Sequence, residues 1–193
     1  MFKEHVVVTE NVKVSRTFYR LTFRSPAMAE KAAPGHFVQI RVSDSYDPFL
    51  ARPMSICRSR SDLIDILYIP AGRGTRMMTL IPKGTRLEVW GPLGKPFTPM
   101  PGKRLIYVSG GVGIAPIIFL AAKLSIDAFL FGVRTKDDLI SLEEFGIEGS
   151  KIHLSSNDGT VGTKGYITDV FDRFVEKIKG EDCFVYTCGP TPM

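Results

Sequence analysis

Beyond Arg104 the chain alternates short apolar runs with helical stretches, and that alternation restricts the fold more than any single motif. The runs "RLIYVS", "DAFLFG", "KIHLSS" and "CFVYT" have the length and the Val, Ile and Phe content of buried strands. Between them lie "IAPIIFLAAKL", a polar stretch around "KDDLISLEEF", and the amphipathic "YITDVFDRFVEKI", each expected to be a helix. Strands separated by helices pair in parallel through right-handed crossovers, so this half should be an α/β domain with a parallel sheet. Sheets of this kind bind ligands outside the carboxyl ends of their strands.

The first half reads differently. "HVVVTE", "TFYRLTFRS", "HFVQIRV", "LIDILYI" and "RLEVW" are strand-like and are punctuated by "APGH", "IPKGT" and "GPLG", a pattern of short strands closing as a small β-barrel. Only "TRMMTLI" suggests a helical turn there. The two prolines and the glycine of "TPMPGKR" mark the boundary, giving a barrel over residues 1–99 and an α/β domain over 100–193.

Composition excludes several classes. The formal charge of +5 is spread along the chain without a dense basic run, which argues against a nucleic-acid-binding stripe. The longest apolar stretch, "LIYVSGGVGIAPIIFLAAKL", is broken by glycines and a proline and does not suit a membrane span. The opening "MFKEHVVVTENVKV" lacks the apolar core of a signal peptide, so a cytoplasmic location is expected. Cys57, Cys183 and Cys188 form no C-x-x-C unit and supply no complete metal site.

Three segments at carboxyl ends of the α/β strands carry chemistry. "YVSGGVGIAPII" places Gly110, Gly111 and Gly113 between a strand and a helix, where glycines let the backbone approach a pyrophosphate and the helix end offers free N–H groups. The spacing is not G-x-G-x-x-G, and no Walker lysine follows, so a tight turn without a ligand is the alternative. Arg134 leaves the second strand, within reach of a phosphate or adenine. Asp158 leaves the third in "SSNDGT", either accepting from ribose hydroxyls and repelling a 2′-phosphate or simply closing an Asn-Asp-Gly turn.

In the barrel half, "ARPMSI" and "IPAGRGT" each set an arginine beside small or turn-forming residues. The guanidinium of Arg52 suits a phosphate, Ser55 a ring nitrogen, and Gly72, Gly74 and Thr75 the donors around a diphosphate. Singly, each also reads as a surface arginine or an ordinary turn.

In order, "RPMSI", "GRGT", "GPLGKPF", "GGVGIAP", "NDGTVGTKG" and "YTCGPTPM" resemble the ferredoxin reductase-like flavoproteins, and more narrowly the electron-transfer subunits of NAD-dependent dihydroorotate dehydrogenase. The resemblance covers nearly the whole chain. It implies an FAD-binding barrel followed by an NAD(H)-binding α/β domain. The family's flavin-binding pattern falls on Arg52, Pro53, Met54 and Ser55, on Leu67, Tyr68 and Ile69, and on Gly74 and Thr75; a basic residue is common in the family where this chain has Ile69. The nicotinamide side falls on Gly110 to Gly113 and on Cys188, Gly189 and Pro190, with Ser55 and Cys188 beside the reacting rings and Cys188 packing rather than attacking.

The resemblance further implies a partner, an FMN-containing dihydroorotate dehydrogenase catalytic subunit of pyrimidine biosynthesis, in a hetero-oligomer. In the family a cysteine-rich segment holding a [2Fe-2S] cluster follows this point, so the α/β domain is expected to be truncated before it, with the cluster in a longer form of the protein. Two other readings stand beside this one: a free-standing NAD(P)H:flavin or ferredoxin oxidoreductase, and a non-enzymatic binding module on the same scaffold.

Overall fold

A computed structural model describes residues 2–43 and 45–190, so the end of the "YTCGPTPM" segment lies outside the described residues. The chain divides into two compact units, Met1–Phe97 and Thr98–Met193.

The first unit is a closed six-stranded barrel. Strands β1 (Phe2–Lys13), β2 (Tyr19–Arg24), β3 (Phe37–Arg41), β4 (Arg52–Arg60), β5 (Leu63–Tyr68) and β6 (Arg86–Leu93) close in the order β1-β2-β5-β4-β3-β6, with antiparallel neighbours throughout. Period-two alternation fills it: Leu21 and Phe23, Val38 and Ile40, and Ile64 and Ile66 are all buried. One carboxylate is buried as well. Asp65 lies opposite Thr22 on β2 and Arg58 on β4, accepts from the Thr22 hydroxyl at 2.7 Å and from Arg58 Nε at 2.6 Å, and is reached by Arg60 at 3.2 Å. These partners compensate its desolvation.

The barrel carries two short helices. The expected turn in "TRMMTLI" is part of α2 (Arg73–Met78), whose carboxyl end is held by Asn11, donating to Met78 O at 2.8 Å and Ile81 O at 2.9 Å. Helix α1 (Pro26–Lys31) was not expected, although its signal is present: Ser25 caps it by accepting from Met28 N, and Pro26 occupies the first turn.

The second unit is a five-stranded parallel sheet, β10-β9-β8-β7-β11, formed by β7 (Arg104–Gly110), β8 (Ala128–Val133), β9 (Ile152–Ser156), β10 (Thr163–Lys164) and β11 (Cys183–Cys188). Helix α3 (Ile114–Ala121) is buried along its whole length. Helix α4 (Ile167–Lys177) packs Val170, Phe171 and Phe174 onto Ile106, Val108, Ala128 and Leu130. The helix expected around "KDDLISLEEF" is a correction: the segment has only 3₁₀ turns at Lys136–Asp138 and Glu143–Phe145. Its buried apolar residues, Ile140, Leu142, Phe145 and Ile147, do not repeat at a helical period, and Leu139 is already extended. Among the described residues no helix is long and apolar enough to cross a membrane.

Candidate functional site

Each unit presents a candidate site of its own. In the barrel, the β4–β5 ladder begins only where Ile56 faces Ile66. Ahead of it, Arg52–Ser55 pair with β3 alone, and past it Leu67 and Tyr68 pair with β2 alone. Two strand ends therefore part, leaving main-chain N–H and C=O groups without a ladder partner between them. The sequence-expected residues Arg52, Pro53, Met54, Ser55, Leu67, Tyr68 and Ile69 line this parting. Their contributions differ. Leu67 and Tyr68 are buried, and the Tyr68 hydroxyl donates to Asn11 Oδ1 at 3.1 Å, so these two present backbone rather than side chain. Ser55 and Ile69 are half-buried, and Pro53 is exposed.

Arg52 joins this parting to α2. Its stem lies over Gly74, where a Cβ would come within 2.8 Å of Arg52 Cδ and would require the arginine stem to shift. Arg52 Nη2 donates to Leu50 O at 2.7 Å, while the buried Nε has no hydrogen-bond partner among the described residues. A buried guanidinium N–H without an acceptor is costly, and an anion placed there removes the cost. Thr75 departs from expectation: its hydroxyl accepts from Gly72 N at 2.9 Å and donates to Gly72 O at 3.1 Å, closing the turn instead of facing a phosphate. The donors at this corner are main-chain N–H groups of the first turn of α2, which have no intrahelical acceptor. This set, an orphaned guanidinium N–H, a glycine cradle and an unladdered strand gap, fits a flat ring system carrying a diphosphate.

In the α/β unit, the glycine turn and the exit of β11 are packed together. β11 pairs in parallel with β7, setting Cys188 beside Ser109. A Cβ on Gly113 would stand 2.3 Å from Cys188 O and 2.7 Å from Gly189 Cα, so Gly113 serves the approach of two backbones. Gly111 differs: its φ is +51° and nothing lies within 4 Å of its missing Cβ, leaving that side open to a ligand. Gly110 is extended and pairs with Gly132 on β8. Gly189 and Pro190 follow the strand and are exposed. Burial pushes the Cys188 thiol up, so it stays protonated at neutral pH and is no nucleophile.

The remaining two expected residues occupy neighbouring loops. Arg134 is held by Asp138, Nε to Oδ2 at 3.3 Å, and its carbonyl accepts from Asp158 N at 3.3 Å. Asp158 Oδ1 accepts from the Thr160 hydroxyl at 2.6 Å and from Thr160 N at 3.0 Å, and these bonds hold its carboxyl below the ordinary value. Thr160 also accepts from Lys136 N at 2.9 Å, fastening the β8 and β9 exits to each other. Sequence reading missed Thr160, and it missed Ser109 and Ser155, whose buried hydroxyls have no partner among the described residues. Their signal was a small polar residue at the carboxyl end of an otherwise apolar strand.

No family model matches the chain. The electron transfer subunit of dihydroorotate dehydrogenase B (NAD(+)) from Fusobacterium nucleatum is 33% identical over 203 residues, covering 98% of this chain and 76% of that protein. A homolog of that subunit from Aquifex aeolicus is 34% identical over 191 residues, covering 96% of this chain and 74% of that protein. Among solved structures, an NADH-dependent reduced ferredoxin-NADP oxidoreductase superposes with a TM-score of 0.82 at 25% identity, covering 97% of this chain and 68% of its own. The ferredoxin reductase of carbazole 1,9a-dioxygenase, at 22% identity and a TM-score of 0.80 over 99% of this chain and 62% of its own, shares the fold. With relatives this similar along nearly its whole length, the chain belongs to the family of electron transfer subunits of dihydroorotate dehydrogenase B (NAD(+)).

Proposed function

We propose that this chain is an NADH-oxidising electron-transfer subunit that holds FAD in the barrel unit and NAD(H) on the α/β unit. It serves an FMN-containing dihydroorotate dehydrogenase subunit of pyrimidine biosynthesis, in the cytoplasm. Onward transfer uses a [2Fe-2S] cluster held by a longer form of the polypeptide. The observation that carries the reading is Arg52, its buried Nε lacking an acceptor among the described residues, laid over Gly74 beside the β4–β5 parting.

When bound, FAD supplies two-electron acceptance together with release of single electrons. The protein's part is orientation and recognition. Arg52 and the first turn of α2 would hold the diphosphate, and the facing edges of Met54–Ser55 and Leu67–Ile69 would hold the ring. Gly111 admits the nicotinamide nucleotide, and the uncharged Cys188 packs without reacting.

Heat-released cofactor from the purified protein is expected to co-elute with FAD, and the protein to reduce ferricyanide from NADH. FMN alone in the extract defeats the cofactor assignment, and a colourless, inactive protein defeats the enzyme reading.

Nucleotide preference follows from Asp158. With Arg134 drawn toward Asp138, the fixed carboxylate of Asp158 is the nearest candidate to meet a ribose, and it repels a 2′-phosphate. NADH is expected to give the higher kcat/KM, and Asp158→Ala to narrow the gap to NADPH. Preference that survives unchanged in the variant removes Asp158 as its cause; Lys164, whose side chain lies against Gly159, is then the next charge to replace.

A further inference from the structure

The ladder between β4 and β5 is irregular just before the strand gap opens. Ile56 faces Ile66, but the next pair is Arg58 with Asp65, so Cys57 is an extra residue on β4 with no counterpart on β5. This is a β-bulge, which bends the bulged strand, sharpens its twist and can end its pairing.

Opposite the bulge stands the buried carboxylate of Asp65. By alternation it lies on the other face of β5 from Ile64 and Ile66, which fill the barrel. It accepts from Thr22 Oγ1 at 2.7 Å on one neighbouring strand and from Arg58 Nε at 2.6 Å on the other, with Arg60 Nη2 at 3.2 Å. Asp65 is fully buried, and only 22% of the Arg58 side chain is exposed. Burial first, and the Asp65 carboxylate second, push the Cys57 thiol up, which sets the extra residue close to that carboxylate and leaves it neutral. A buried ion pair is weak evidence for stability, and its best-attested use is to fix a register.

That register decides where the wall parts. Without the bulge, the pairing of Arg60 with Leu63, Ser59 with Ile64 and Arg58 with Asp65 would run on to set Cys57 opposite Ile66 and Ile56 opposite Leu67. Every β4 residue from Ile56 back to Arg52 would then change faces relative to β5. The ladder would extend into Leu67, and Arg52 would turn away from Gly74, over which it now lies.

We infer that Asp65, together with Arg58, is a positioning residue of the flavin site: it clamps the bulge at Cys57 and so holds open the gap between Arg52–Ser55 and Leu67–Tyr68. The inference rests on the FAD reading above. Asp65 is sealed inside the protein and acts through the course of β4.

The test replaces the network with apolar residues of similar volume, Thr22→Val, Arg58→Met and Asp65→Leu together, so that no charge is left buried alone. Arg60, half-exposed, can turn to water. Flavin is stripped, and FAD and FMN are each titrated into the apoprotein by flavin fluorescence, well below its melting temperature. The triple variant is expected to melt at or above the temperature of the unmodified apoprotein. Both flavins should nevertheless weaken by about tenfold or more, the worth of two lost main-chain bonds to the ring that they share. Affinities within about twofold of the unmodified protein overturn the inference, and so does weakening of FAD alone, which would put the effect outside the ring gap. A lowered melting temperature in parallel with lost affinity makes the network part of the fold only and overturns it too. Should the triple variant not fold, Asp65→Asn decides, since it keeps the shape and one acceptor while releasing the charge: both flavins should weaken by about threefold or more, and unchanged affinity overturns the inference. An unmodified protein that carries no flavin and takes none up defeats the FAD reading itself; one that binds flavin no better than its variants defeats this inference alone.

Discussion

Replacing Arg52 by alanine is expected to lower the affinity of the apoprotein for FAD by about ten- to a hundredfold while leaving the barrel folded. A hydrogen bond to a charged group contributes about 1.5 to 3 kcal/mol, which converts to that range. The fold should tolerate the loss because, among the described residues, the side chain of Arg52 bonds Leu50 O and its Nε has no partner. Removing the side chain therefore relieves a desolvated donor in the apoprotein even as it removes an anion contact in the holoprotein. Arg52→Lys should recover only part of the affinity, since an ammonium cannot fork between Leu50 O and a phosphate. Fluorescence titration gives the affinities and thermal melting the stability. A loss of melting temperature without a loss of FAD affinity would place Arg52 in the fold and not in the site.

Gly113→Ala is expected to have a large effect at the candidate site of the α/β unit. Its Cβ would stand 2.3 Å from Cys188 O and 2.5 Å from Cys188 C, both main-chain atoms that no rotamer change can move aside. Overpacking of this kind costs about 1 to 3 kcal/mol, or about 2–12 °C in melting temperature for a chain of this size. Relief requires the turn or the β11 exit to shift, and a misplacement of about 1 Å costs on the order of a hundredfold in rate. NADH-dependent ferricyanide reduction should therefore collapse while FAD content stays near that of the unmodified protein. Gly111→Ala is the contrast: it meets nothing within 4 Å, so it carries only the strain of a positive φ, about 1 to 2 kcal/mol, plus whatever space it takes from the nucleotide. If Gly113→Ala proves as mild as an ordinary surface change, the packed turn is not what positions the nucleotide.

The two-part architecture was legible because it rests on periodicity. Strand runs such as "DAFLFG" and "CFVYT" became β8 and β11, and the five alternating barrel segments became β1, β2, β3, β5 and β6, while β4 (Arg52–Arg60) was not among the expected strands. The segment "KDDLISLEEF" misled because its polar content resembles a solvated helix, while its few apolar side chains are drawn inward one at a time by the neighbouring core. In the site, residue types were readable but their engagements were not. Thr75 and Asp158 each looked like a ligand group, and neither the bonds of the Thr75 hydroxyl to Gly72 nor those of the Asp158 carboxylate to Thr160 could be read beforehand. Nothing local to "RPMSI" or "GRGT" says that Arg52 will lie on Gly74, since that contact depends on β4 and α2 arriving at the same corner. The open strand gap was equally invisible, because register is a property of two strands and neither carries it alone.

That gap has a consequence for how the protein must be made. Arg52–Ser55 and Leu67–Tyr68 are, in the apoprotein, two short sheet edges inside an otherwise sealed wall. Natural barrels avoid such edges because a row of unpaired main-chain groups recruits strands from other chains. A flavin held in this gap, as proposed, would act as a surrogate strand, and its supply during synthesis would become a matter of solubility as well as activity. Cells starved of riboflavin are expected to yield this chain largely as aggregate, and riboflavin added before induction, rather than after harvest, should restore the soluble yield.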